Sequence, residues 1–284
     1  MDRDFIQLFD AYTHGGITRR DFLERLAGLA GSAAAAHAML PLLQNDYASE
    51  PRVPEDDVRL EIAMVDIPGV EKLKGYLARP PKKKGLPAVL VIHENRGLNP
   101  HIKDVTRRLG LEGFLALGLD YLAPLGGTPS DEDEGRKLIG QLTPEGVLAS
   151  GRAALAYLRK HPEGNGKAGA VGFCWGGGAV NTLAAQEPEL SAGVAYYGMQ
   201  AKAEAVPAIK APLLLHYAGL DERINAGIPA YEAALKAAGK TYELHLYPGA
   251  NHAFNNDTNA ARYDKAAADL AWGRTTAFLR KHLK

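Results

Sequence analysis

The chain has 284 residues, with 33 Lys+Arg against 33 Asp+Glu and therefore no formal net charge; 46% of it is hydrophobic and 23% charged. That balance excludes a disordered charged tail and a basic nucleic-acid stripe. At roughly 150 residues per domain the length suggests about two domains, although an α/β fold of 200–250 residues often forms one. The one cysteine, Cys174, cannot form an intrachain disulfide or a cysteine zinc cage, so it serves packing or chemistry.

Residues 1–50 differ from the rest. Thr18-Arg19-Arg20-Asp21-Phe22-Leu23 precedes an Ala/Leu-rich run from Leu26 to Leu43 that contains Ala36-His37-Ala38. Paired arginines before a weakly apolar stretch resemble a twin-arginine export signal, which would place the protein in the periplasm. The run is too short and mild for a stable membrane span. The other reading is a retained helical extension of a cytoplasmic protein, with Thr18 as N-cap and Phe22, Leu26 and Leu29 on one packing face. Residues 51–57 read as a linker, and 58–284 as one catalytic domain.

In chain order, Arg59–Val65 and Lys72–Ala78 read as an antiparallel pair around Pro68-Gly69. Pro87–His93 is a continuous apolar run of the kind a strand buried on both faces needs. A helix is expected near His101–Leu111, a strand at Phe114–Leu119 and a helix at Glu145–His161, where Leu148, Leu155 and Leu158 share a face. Strand Ala168–Phe173 then enters a glycine-rich turn and helix Gly177–Gln186. Strands Ala192–Tyr197 and Pro212–Ala218, helix Ile228–Ala238, strand Tyr242–Tyr247 and helix Ala260–His282 complete the chain. Strands alternating with helices of this length predict an α/β-hydrolase-type fold, a mostly parallel, doubly wound sheet with helices on both faces.

Gly172-Phe173-Cys174-Trp175-Gly176-Gly177 fits the nucleophile elbow G-x-S-x-G with cysteine in the serine position. The turn is strained, so its neighbours must lack side chains for strand and helix to approach. The sulfur would stand at a helix N-terminus, where the dipole favours negative charge. The elbow predicts an acid and then a histidine further along the chain. Asp221 follows strand Pro212–Ala218, and His252 follows strand Tyr242–Tyr247, both at the carboxyl edge where open α/β sheets keep their sites. The other histidines fit less well: His216 is inside a strand, His161 and His282 end helices, His14 and His37 belong to the N-terminal segment, and His93 and His101 precede the elbow. Glu94 is either a site carboxylate or a salt-bridge partner of Arg96 or Arg107. A zinc motif H-E-x-x-H fails at Gly97.

The elbow, Val91-Ile92-His93-Glu94-Asn95-Arg96-Gly97-Leu98, Gly219-Leu220-Asp221, Asn251-His252-Ala253-Phe254 and Ala195-Tyr196-Tyr197-Gly198 together resemble the dienelactone hydrolases (carboxymethylenebutenolidases) over residues 57–284. The resemblance implies a Cys174–His252–Asp221 triad, a Glu94 that contacts the resting thiol, and oxyanion donors from the backbone N–H groups of Asn95 and Trp175. It implies a small-molecule ester or lactone substrate and neither metal nor organic cofactor. The sequence departs where the family carries a carboxylate-binding arginine four residues after the histidine, because Asn256 stands there. Arg136 is a loose counterpart of a second family arginine. Arg96 and Arg223 lie beside the catalytic loops and are candidates to replace the charge, and Tyr197 is a further candidate substrate contact. Other readings are a broad esterase for xenobiotic or polyester-like substrates, a non-catalytic binding protein, and a redox sensor, for which the chain lacks a resolving cysteine.

Overall fold

A computed structural model describes residues 1–284. Eight strands form one sheet in the order β1-β2-β4-β3-β5-β6-β7-β8. Strands β1 (Glu61–Asp66) and β2 (Lys74–Arg79) pair antiparallel, as the turn at Pro68-Gly69 predicts. β2 is antiparallel to β4 (Leu115–Asp120), and β3 (Leu86–Ile92), β5 (Gly164–Phe173), β6 (Gly193–Tyr196), β7 (Leu213–Ala218) and β8 (Tyr242–Tyr247) extend the sheet in parallel. The apolar runs do what their composition dictates: residues Ala88–Ile92 and the whole of β4 and β7 are buried, because helices cover both faces.

Helices α4 (Pro100–Leu111), α6 (Pro144–Lys160), α7 (Trp175–Gln186), α9 (Ile228–Ala237) and α10 (Lys265–His282) lie close to their sequence expectations. Two boundaries move for local reasons. The last helix starts five residues later than the apolar spacing suggests, because the Asp264 side chain accepts from the Ala267 N–H and caps it. Helix α7 begins directly after Cys174, leaving no spacer between elbow and helix. Helix α5 (Glu132–Ile139) lies in the acidic segment, where no helix is expected from the sequence. Asp131 caps it, and three acidic residues occupy its first turn.

The N-terminal residues form helices α1 (Arg3–Thr13), α2 (Arg19–Ala30) and α3 (Ala33–Leu43). Thr18 and Asp21 form a capping box at the start of α2, as expected of Thr18. Phe22 and Leu26 are buried with Phe9, Ala36 and Leu43. Leu29, expected on the same face, is 45% exposed. It lies in the last turn of α2, one residue before the helix ends. No single helix is long and apolar enough to cross a membrane, and the chain bends by 109° between α2 and α3. Arg19 pairs with Asp133 at 3.0 Å and Arg20 with Glu24 at 3.0 Å, all on the surface.

The elbow depends on backbone contact. A Cβ on Gly172 would lie 2.1 Å from the Gly176 carbonyl oxygen, and one on Gly176 2.3 Å from the Ile92 oxygen. Neither atom belongs to a flexible side chain, so strand and helix must separate to admit a methyl group. Gly172→Ala should therefore lower stability by about 1–3 kcal/mol in urea unfolding. A stability equal to that of the parent chain would show that the elbow tolerates side chains.

Candidate functional site

Cys174 sits between β5 and α7 with φ 55° and ψ −114°, a left-handed conformation unusual for a residue with a side chain. Its N–H donates to the Tyr196 carbonyl at 3.0 Å and its carbonyl accepts from Gly178, so the strain is held by backbone bonds on both sides. The thiol is 8% exposed. Trp175, the next residue, stacks on His93 at 5.4 Å between ring centroids and meets Tyr121 edge-on at 5.3 Å.

Asp221 caps the four-residue helix that follows β7, accepting from the Ile224 N–H at 3.2 Å. Its other oxygen lies 2.5 Å from Nδ1 of His252. Nδ1 therefore carries the hydrogen, and Nε2 faces Cys174. Burial opposes a charged ring at His252, but the Cys174 sulfur and the Asp221 carboxylate outweigh it and push the pKa up to about 10. Asp221 itself is held below the usual carboxylate range: its burial opposes this, and the imidazolium of His252 overcomes it.

One feature of the site had no signal in the motifs. His14, at the end of α1, places Nε2 3.3 Å from the Cys174 sulfur. Its Nδ1 lies 2.8 Å from the Asp10 carbonyl oxygen, which only accepts, so Nδ1 carries the hydrogen and Nε2 presents a lone pair. Burial keeps this ring neutral, well below the usual histidine pKa, with His252 and Arg223 adding repulsion. The His14 and His252 rings meet edge-on at 4.7 Å. His14 belongs to the N-terminal segment, which by sequence is separate from the catalytic domain, and no motif links it to the elbow. Only the burial spacing of Ile6, Phe9 and Thr13 indicates that α1 packs on something.

The helical segment is tied down around this contact. Asn95 Nδ2 donates to the Thr13 carbonyl at 2.8 Å, Arg262 to Asp10 at 2.8 Å and Tyr12 to Asp133 at 2.6 Å. Asn259 Nδ2 donates to the Leu43 carbonyl at 2.7 Å.

A cavity of roughly 830 Å³ opens over the sulfur, bordered by Cys174, Asn95, Trp175, Tyr197, His14 and His252 and walled in part by α5 and α6. Arg136 and Arg223 also line it. Arg136 is engaged, since it pairs with Asp133 and sits 4.6 Å over the Tyr12 ring. Arg223 is exposed and forms no ion pair. Two expectations for substrate contact change. Arg96 is buried, 3.0 Å from Glu132 and 3.9 Å from Glu94, and does not border the cavity. Asn256 is fully buried and donates to Glu94 at 2.9 Å, so it fixes that carboxylate instead of meeting a ligand. Glu94 is 2% exposed, leaves its other oxygen without a partner, and borders a narrow gap shared with Cys174, His252 and His14. Tyr197, wholly buried against His252 at 5.0 Å, leaves its hydroxyl unpartnered beside the cavity.

Comparison with known proteins agrees with this architecture. The model of the Dienelactone hydrolase family matches residues 73–283, and that of a YqhI-like family matches residues 2–31. A putative carboxymethylenebutenolidase of Saccharolobus solfataricus is 34% identical, over 74% of this chain and 94% of its own. A probable 2-oxo-3-(5-oxofuran-2-ylidene)propanoate lactonase of a Bradyrhizobium species is also 34% identical, over 75% of this chain and 91% of its own. The crystal structure of a putative dienelactone hydrolase from Klebsiella pneumoniae superposes with a TM-score of 0.71 at 30% identity, covering 78% of this chain and 99% of that one. With the family match spanning most of the chain, an α/β-hydrolase sheet beneath it and Cys174 at its elbow, this protein belongs to the dienelactone hydrolase family.

Proposed function

We propose that this chain hydrolyses carboxylic esters or lactones with Cys174 as nucleophile, through an acyl-thioester. The observation that carries the reading is the strained Cys174 at the start of α7, its sulfur open to the cavity and facing a His252 whose Nδ1 is engaged by Asp221. The Cys174 proton passes to His252 Nε2, and the imidazolium is stabilised by Asp221. The sulfur attacks the acyl carbon, and the carbonyl oxygen becomes an oxyanion that accepts from the N–H groups of Asn95 and Trp175. Each such donor lowers the barrier by about 3 kcal/mol. Collapse breaks the C–O bond, and His252 returns its proton to the leaving alkoxide. Water then loses a proton to His252 and attacks the thioester, releasing the acid and restoring the thiol.

Glu94, with one oxygen held by Asn256, adds a fixed charge beside this proton transfer. Arg223, the unpaired cation on the cavity wall, is our choice for an anchor of a carboxylate on the substrate, since Arg136 and Arg96 are already engaged. We also propose that residues 1–43 stay on the working enzyme, because His14, Thr13 and Tyr12 form part of the cavity.

Cys174→Ala should reduce turnover of p-nitrophenyl acetate at least about a thousandfold with the circular dichroism spectrum unchanged; an active variant would remove Cys174 from the chemistry. The ion-paired form requires a proton on His252, so kcat/KM should decline as pH rises through about 10. Asp221→Asn should move that limb to lower pH, and an unmoved limb would mean that Asp221 does not hold the ring's charge. Arg223→Ala should raise KM about tenfold for a carboxylate-bearing lactone and leave a neutral ester unaffected. Equal effects on both substrates would exclude the anchor role.

A further inference from the structure

Three lone pairs and one mobile proton meet above α7. Asp10 fixes the hydrogen of His14 on Nδ1 and Asp221 fixes that of His252 on Nδ1, so both Nε2 atoms face the Cys174 sulfur. His14 Nε2, the sulfur and the His252 nitrogen all lie within 4.8 Å of one another. A single proton bridges the sulfur to one ring only, so one ring always turns an unshared pair toward another. The 3% exposed His252 indeed leaves Nε2 without a hydrogen-bond partner. A small soft cation removes this conflict, since it takes all three pairs together.

We propose that His14, Cys174 and His252 bind a zinc ion, which caps the sulfur and reversibly switches the enzyme off. The donor set is right for zinc: two imidazole nitrogens and a thiolate, which suit a borderline-soft ion and not magnesium or calcium. The size fits too. Tetrahedral zinc, with bonds of about 2.0–2.3 Å, holds its ligands roughly 3.3–3.6 Å apart. The His14–Cys174 separation of 3.3 Å already meets this, and only His252 has to close in. Both rings have the outer support that zinc histidines need, a backbone carbonyl behind one and a carboxylate behind the other. The fourth position faces the cavity and takes water. Binding releases the shared proton to solvent, breaks Zn–O bonds to the aqua ligands that leave, and forms one Zn–S and two Zn–N bonds, with no change in oxidation state. Asp221 and Glu94 add negative charge around the ion, whereas Arg262 and Arg223 near His14 oppose it, so the affinity comes from the ligands themselves.

Because the third ligand comes from α1, the N-terminal helices turn a nucleophile–base pair into a three-ligand site. Binding does not depend on the proposed hydrolysis; only the loss of activity rests on Cys174 being the nucleophile. The test uses the reduced full-length chain, titrated with zinc against a chromophoric chelator and with cobalt followed by absorption. One ion per chain is expected, with a thiolate-to-cobalt charge-transfer band and the visible bands of a four-coordinate ion. Hydrolysis should be lost in proportion to zinc occupancy and return on addition of EDTA. His14→Ala and the bulkier His14→Gln should each weaken zinc at least about tenfold, and Cys174→Ser should abolish the charge-transfer band. Absence of that band in the parent chain, or unchanged zinc affinity in both folded His14 variants, would overturn the site. The cobalt spectrum reports the ligands whether or not Cys174 is a nucleophile, so failure of the metal site and failure of the hydrolytic reading are told apart.

Discussion

The close approach of β5, α7 and the β3 loop at the elbow is the contact on which the site depends. Gly172 packs against the backbone of Gly176, and Gly176 against the carbonyls of Ile92 and His93. Backbone this close leaves no room for Cβ atoms, and it forces Cys174 into a left-handed conformation that costs on the order of 1–3 kcal/mol. The same approach brings the end of β3, with Glu94 and Asn95, beside the sulfur. The strain, the position of the sulfur and the neighbouring loop therefore come from one packing arrangement.

Around that point, buried charged groups are paired with one another. Asp221 and His252 are both buried and joined by a short hydrogen bond, so each holds the other in its charged form. Glu94 is fixed by Asn256 and faces Arg96, itself paired to Glu132. Where the dienelactone resemblance implies an arginine for substrate, this chain uses a neutral amide to hold a carboxylate. Arg223, in the short helix after β7, lines the cavity without an ion pair.

The N-terminal helices alter the meaning of the site. Their own apolar cluster, centred on Phe9, Phe22 and Leu26, stabilises the unit, and Asp10, Tyr12 and Thr13 tie it to Arg262, Asp133 and Asn95. Through these contacts α1 delivers an uncharged imidazole to the Cys174 sulfur and closes one side of the cavity. A segment that reads as an address label or an accessory hairpin thus forms part of the cavity wall.

Local sequence determined the parallel sheet, the elbow and the order Cys174, Asp221, His252. Apolar runs, glycine spacing and loops after strands are short-range signals, set by backbone sterics and burial. It also identified Thr18 as a cap, because a capping box needs only four consecutive residues. It did not determine which cations face the cavity. Arg96, Arg136 and Arg223 look alike in the sequence, but α5 brings Glu132 to Arg96 and pairs Arg136 with Asp133 one turn earlier, and short acidic segments do not announce that helix. Nor did it reveal His14. No periodicity links residues 160 positions apart, and only the docking of α1 across the carboxyl edge of the sheet brings that ring to 3.3 Å from the sulfur.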